Sequence, residues 1–277
     1  MRDERTIKML NFFGGFMLNA KFYETYYFCN VIKNTLQDQF ELARALNEFY
    51  GDGNVTYLIE TFPKFSLFHK YLYFVINRIY YENLNKFAEN KSKRLPIEGA
   101  LKFHSIPHIS FQSYMEKNEN NTKHYDDLIH NYMEHLNDAY DQLLTHTVEE
   151  VFYILFQNRD LLMEFNLMIS GALEREDLKE IDSDLVTKRG RLKRGHIPQW
   201  VKRAVYFRDR GQCVLCNKDL SGIVSLDNKE NYDHIVALAQ YGFNDVTNIQ
   251  LLCKECNQNE KKAGEAVTSN SYQKWYK

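Results

Sequence analysis

Three features of the sequence predict a mainly α-helical N-terminal domain joined to a small α+β C-terminal domain stapled by a metal. Apolar and aromatic residues recur at three- and four-residue steps through the first 173 residues, and the charge balance reverses between residues 174 and 188. Four of the five cysteines also form two Cys-x-x-Cys pairs near the C-terminus. With 277 residues, 44% of them hydrophobic, the chain is long enough for two ordinary domains that each bury a core.

In the N-terminal part, Phe22 and Tyr26, and later Leu128, Tyr132, Leu136, Tyr140 and Leu143, keep the spacing of a helix face. Breaks at "GDGN" (51 to 54), Pro63, "KSKRLPIEG" (91 to 99) and "EKNENNTK" (116 to 123) divide the region into several helices. Thr147 with Glu150 three places on predicts a capping box that opens a helix through "VEEVFYILF". The Phe and Tyr stripes read as core rather than as a cofactor pocket, because burial alone produces aromatics at helical spacing.

The first residues, "MRDERTIKMLNFFGGFMLNAKF", carry acids, and their apolar part is interrupted by Asn and Gly, which argues against a secretory signal. No run approaches the ~18 to 20 apolar residues of a membrane span, so a cytoplasmic location with no membrane partner is expected.

The net charge of −2 hides an asymmetry. Residues 188–277 hold 16 Lys and Arg against 9 Asp and Glu, while residues 1–187 hold 19 against 28. An acidic body followed by a basic third predicts that a polyanion meets only the latter. The composition therefore divides the chain into a helical domain at 1–173, a charged linker at 174–197 and a C-terminal domain at 198–277. Pro198 and Gly211 bracket "PQWVKRAVYFRDRG", in which Val201, Ala204, Val205 and Arg208 are spaced as one face of a short helix.

Cys213 and Cys216 are separated from Cys253 and Cys256 by 36 residues. In a reducing compartment, two such knuckles favour a tetrahedral zinc site over disulfides. A site with four sulfur ligands has no open position, so this zinc is structural and pins the short strands between the knuckles.

Within and beside that frame stand Asp233, His234, Asn248 and Asn257. An imidazole, a carboxylate and amides suit phosphodiester hydrolysis, in which water must lose a proton near neutral pH and charge grows on the phosphate. His234 supplies the base. Asp233 and Asn257 offer oxygen ligands for magnesium or manganese. Adjacent residues on a strand face opposite ways, so Asp233 and His234 can serve the metal and the water separately. Asn259 is a weaker ligand candidate, since two residues along a helix turn it away from Asp233.

Four segments, "RDRGQCVLC" (208 to 216), "YDHIVAL" (232 to 238), "NDVTNIQLLC" (244 to 253) and "CKECNQNEKK" (253 to 262), resemble the HNH endonuclease family, in the subgroup with a four-cysteine zinc site. The resemblance covers about residues 198–265 and implies a ββα-metal fold. It gives His234 the role of general base and Asn248 that of bracing the loop between the strands. Asn257 falls at the final position, where it would bind the catalytic metal with Asp233. Ala237 stands where members often carry Pro, and Tyr241-Gly242 replaces a common Gly-Gly.

Lys193, Arg194, Lys202, Arg203, Arg208 and Arg210 belong to a basic run over residues 188–210 in which Asp209 is the lone acid. They are the expected contacts to DNA, with RNA also open, and Arg208 or Arg210 is the expected phosphate clamp. The other histidines fall into no metal-ligand spacing. For the helical body the sequence leaves several roles open: self-association, binding a partner protein, sensing a signal, or holding the site shut. Fusions of this shape resemble bacterial or phage-related defence and mobile-element nucleases. The rival to an enzyme is a non-catalytic, zinc-stabilised DNA-binding module.

Overall fold

The structure is a computed structural model that describes residues 18–38, 46, 48–50, 55–89, 95–118, 125–222, 230–259, 261 and 265–274. The expected break at "GDGN", most of the N-terminal stretch, residues 91–94 and residues 119–123 lie outside these. The described helices are α1 (Thr25–Gln37), α2 (Leu67–Glu89), α3 (Pro96–Phe103), α4 (Phe111–Asn118), α5 (Tyr125–His135), α6 (Asn137–Leu155), α7 (Arg159–Glu174), α8 (Leu178–Ile181), α9 (Gln199–Arg208) and α10 (Lys254–Asn259). Two short strands, β1 (Asn231–His234) and β2 (Ile249–Leu252), pair antiparallel between α9 and α10. The fold is thus mainly helical with a small α+β element near the C-terminus. Among the described residues no helix is long and apolar enough to cross a membrane.

Contacts gather the chain into two compact units, one of residues 1–32 and 69–152 and the other of residues 33–68 and 153–277. The second unit therefore takes in the basic segment and the C-terminal part together with residues 33–68 and 153–173, which composition places in the helical domain. Its hydrogen bonds give the physical reason. The Phe62 amide donates to the Asn244 carbonyl at 2.7 Å, and the Leu67 amide donates to the Asp245 carboxylate at 2.9 Å.

In the first unit, Leu128, Tyr132, Leu136, Tyr140 and Leu143 are all buried, as their spacing predicts. Each fully buried side chain of this size contributes about 1.5 to 3 kcal/mol of transfer free energy. Pro96 stands at the first turn of α3, where a missing N–H costs nothing. The Glu98 carboxylate accepts from the amides of Leu95 at 3.0 Å and Phe111 at 2.9 Å, anchoring the starts of α3 and α4 together.

Two expectations for this region are corrected. Phe22 and Tyr26 are exposed, not core: Phe22 lies in an irregular stretch with positive φ at Phe22 and Glu24, and Tyr26 lies in α1 off the face that buries Phe28, Ile32 and Leu36. Thr147 opens no helix. It lies inside α6 and donates to the Leu143 carbonyl one turn back at 2.9 Å, while Glu150 accepts from the Thr25 hydroxyl at 2.7 Å. A mid-helix threonine can satisfy its hydroxyl on the preceding turn, which removes the need for a cap.

In the second unit, the Asn158 side chain caps α7 by accepting from the Leu161 amide at 3.1 Å, and Phe165, Ile169 and Leu173 bury one face of the helix. Residues 174–197 hold α8 and an antiparallel bridge between Val186 and Leu192, both buried. Helix α9 begins after Pro198 and buries Val201, Val205 and Arg208 on one face. Gly211 follows with a positive φ, the backbone that favours glycine past a helix end.

Candidate active site and metal centre

The four sulfur atoms of Cys213, Cys216, Cys253 and Cys256 lie within 4.8 Å of one another, and those of Cys216 and Cys253 are 3.7 Å apart. A tetrahedron with zinc–sulfur bonds of ~2.3 Å has edges of about 3.8 Å, so the donor set fits zinc in kind and in spacing. Sequence-local turns build this arrangement. The Asn217 amide reaches back to the Cys213 carbonyl at 2.8 Å with Asn217 in the left-handed region, and the Cys256 amide donates to the Cys253 sulfur at 3.4 Å. The Val214 amide donates to the Leu251 carbonyl at 3.0 Å, tying the first knuckle to β2.

Between the knuckles, β1 pairs with β2 so that His234 faces Ile249 and Asp233 faces Gln250 across the ladder. The loop joining the strands is held by Asn248, which is fully buried. Its side-chain oxygen accepts from the Val236 amide at 2.8 Å, and its amide nitrogen donates to the carbonyls of Val236 and Phe243, each at 3.0 Å. Both departures from the family pattern are absorbed here. Ala237 has φ −61° and ψ 145°, the backbone a proline would impose, and Tyr241 sits at φ 58°, where glycine is at ease. The Arg191 guanidinium covers the Tyr241 ring at 3.4 Å and donates to the Ala239 carbonyl at 3.0 Å. Gly242 is obligatory, since a Cβ there would meet the Val236 carbonyl oxygen at 2.0 Å.

His234 is only 2% exposed. Burial, reinforced by the Arg194 charge, drives its imidazole pKa down to about 4, against the opposing pull of Asp233 and of the Asn244 hydrogen bond. The ring is therefore neutral, and able to accept a proton, at neutral pH. Asp233 keeps 18% of its side chain exposed and pairs with Arg194 at 2.6 Å. Asn257 is half-buried on α10, the helix that packs against β1. Asn259 is exposed.

Among the described residues the cysteines form the sole cluster of three or more side chains of metal-ligating type. Asp233 and Asn257 offer oxygen atoms, the donor type that a hard divalent cation takes.

The basic run divides. Arg194, Arg203 and Arg210 are exposed, as is Lys193, while Lys202 is half-buried with its ammonium 5.9 Å from the Tyr232 ring. Arg208 does not fit the phosphate-clamp expectation. It is 1% exposed and forms a two-pronged pair with Asp209 at 2.8 and 2.9 Å while donating to the Ile249 carbonyl at 2.6 Å. Asp209 in turn accepts from the Leu251 amide at 2.9 Å, and Arg159 pairs with it at 3.3 Å. The planar fork of Arg208 thus fixes β2 from inside the unit, and the adjacent carboxylate makes its burial tolerable.

Three contributors escape sequence reasoning. Asn244 bonds to His234 at 3.2 Å, Lys261 donates to the Ile235 carbonyl at 2.5 Å, and Arg159 holds the carbonyls of Ser269 and Ser271 at 2.5 and 2.9 Å. Their partners lie ten or more residues away, a distance over which periodicity carries no signal.

Residues 213–263 match the family model described as HNH endonuclease, a stretch that holds all four cysteines together with Asp233, His234, Asn248 and Asn257. This segment is an HNH endonuclease domain by sequence, and the match points to a nuclease or DNA-binding function. No curated protein and no solved structure matches the chain.

Proposed function

We propose that this protein is a divalent-metal-dependent endonuclease that hydrolyses phosphodiester bonds in DNA, RNA being the other substrate its chemistry admits. The observation that carries this reading is His234. A buried imidazole hydrogen-bonded through one nitrogen, beside a partly exposed carboxylate and inside a four-cysteine frame, has the attributes of a general base.

In this reading His234 removes a proton from the water that attacks phosphorus. Asp233 and Asn257 would hold magnesium or manganese, which when bound stabilises charge on the phosphate and on the departing 3′ oxygen. Asn248 keeps the strand-joining loop in shape, and the zinc frame keeps β1 and α10 in register. Arg203, Arg210, Lys193 and Lys202 attract the nucleic-acid backbone, which makes binding fall steeply with salt. Arg194, which pairs with Asp233 at 2.6 Å, would turn to phosphate if Asp233 held the cation. A cytoplasmic defence or mobile-element setting agrees with a nuclease fused to a helical body.

The experiment is plasmid cleavage by zinc-loaded protein across magnesium and manganese concentrations, with gel retardation on the same samples. Cutting that requires the added metal and leaves 5′ phosphate ends supports the reading. Retardation with no cutting under any metal assigns the chain instead as a zinc-stabilised DNA-binding module.

A further inference from the structure

The orientation of His234 is set by one side chain outside the four positions of the constellation. Asn244 is 3% exposed, and each of its side-chain atoms is committed. Its amide nitrogen donates to the Lys193 carbonyl at 2.9 Å, and its oxygen accepts from the Gly195 amide at 3.2 Å. Turning the amide over would put an N–H against an N–H and an oxygen against an oxygen, so the assignment of the two atoms is forced by their partners. The close approach depends on Gly195, where an added Cβ would meet the Thr61 methyl at 2.5 Å and the Asn244 amide carbon at 3.4 Å.

The atom facing His234 Nε2 at 3.2 Å is that same oxygen, which accepts and cannot donate. A neutral imidazole carries one hydrogen, so here it must sit on Nε2, leaving the lone pair on Nδ1. Among the described residues Nδ1 has no hydrogen-bond partner, and it is not one of the buried polar atoms left orphaned. It is therefore the ring nitrogen left to accept a proton.

We infer that Asn244 is a positioning residue that locks His234 in the Nε2–H form and aims Nδ1 at the attacking water, with the backbone at 193–195 bracing the amide. The inference builds on the nuclease reading for what Nδ1 does, and on geometry alone for which nitrogen carries the hydrogen. Because the brace comes from the basic segment, the seating of that segment and the aim of the base are mechanically coupled.

Two readouts test this in the full chain with its zinc loaded. The first is the two-bond nitrogen–proton correlation spectrum of histidine-labelled protein without magnesium or DNA, with His234 assigned by comparison with His234→Ala. The second is the single-turnover cleavage rate at saturating DNA. Wild type is expected to show a pyrrole-like Nε2 and a pyridine-like Nδ1. Asn244→Leu is expected to lose that pattern and about a hundredfold in rate at saturating DNA. Asn244→Asp keeps an acceptor opposite Nε2 and Gly195 but turns its second oxygen against the Lys193 carbonyl, so it is expected to restore the pattern and only part of the rate.

A wild-type ring protonated on Nδ1 overturns the inference, and so does an Asn244→Leu protein that keeps the wild-type pattern and rate. Should Asn244→Leu fail to hold zinc, the wild-type spectrum and the Asp variant still decide. Absence of cutting by wild type would remove the nuclease reading, while the spectrum would still report the hydrogen position.

Discussion

His69 in the first compact unit and His234 in the second are both shut away from water, and burial drives their imidazole pKa values down to about 3 and about 4. Their surroundings differ. His69 lies flat against the Phe152 ring, with centroids 3.6 Å apart, and serves the packing of α2. His234 follows Asp233 on a strand end, has one nitrogen fixed by Asn244, and has Arg194 and Lys261 among the charges that act on it. A neutral imidazole thus comes from desolvation anywhere in a protein. In the proposed reading, His234 acts as a base because a carboxylate, a fixed hydrogen and cations surround its ring.

Zinc removal should break this comparison most sharply. The four thiolates hold both ends of the segment that carries His234, and structural zinc sites supply about 10 kcal/mol or more of apparent folding free energy. Chelation, or the pair Cys213→Ser and Cys253→Ser, is expected to abolish cleavage while the far-ultraviolet helix signal is largely kept, as followed by circular dichroism and metal analysis. Cleavage that survives full chelation would mean the frame does not position the base.

A smaller effect separates His69 from its solvent-exposed counterparts. Its folded pKa lies below the unfolded value of ~6.5, so the unfolded chain takes up the proton first. The stability involved is complete above about pH 6.5 and is lost as the pH falls towards 3, at up to about 1.4 kcal/mol per pH unit. Between pH 7 and pH 5 this amounts to about 2 kcal/mol. Urea denaturation of wild type and His69→Leu at the two pH values should show the variant losing about that much less. An equal loss in both proteins would mean that His69 is protonated within the fold.

What was legible in the sequence follows the range of the forces involved. Each cysteine knuckle, the turn to α10 and the start of α9 after Pro198 are local arrangements, written within a few residues, whereas the pairing of the two strands is expected only from the family resemblance. Arg208 was legible in part. Its spacing with Val201 and Val205 puts it on the inward face of α9, and its charge argued the other way until Asp209 beside it supplied the compensating carboxylate. Thr147 shared the pattern of a cap and had its hydroxyl satisfied by the helix itself. Nothing local marks Asn244, whose partners lie at 62, 193, 195 and 234, nor the recruitment of residues 33–68 to the unit that holds the site. Those pairings are decided by tertiary packing, which a single sequence encodes without periodicity.

The most direct test sets the two buried histidines side by side. Single-turnover cleavage of an end-labelled duplex is measured for wild type, His234→Ala and His69→Leu with DNA and magnesium both saturating and DNA retention confirmed for each. The account predicts a fall of about a hundredfold to ten-thousandfold for His234→Ala and a rate within about threefold of wild type for His69→Leu. A His234→Ala protein that cuts at the wild-type rate would contradict it.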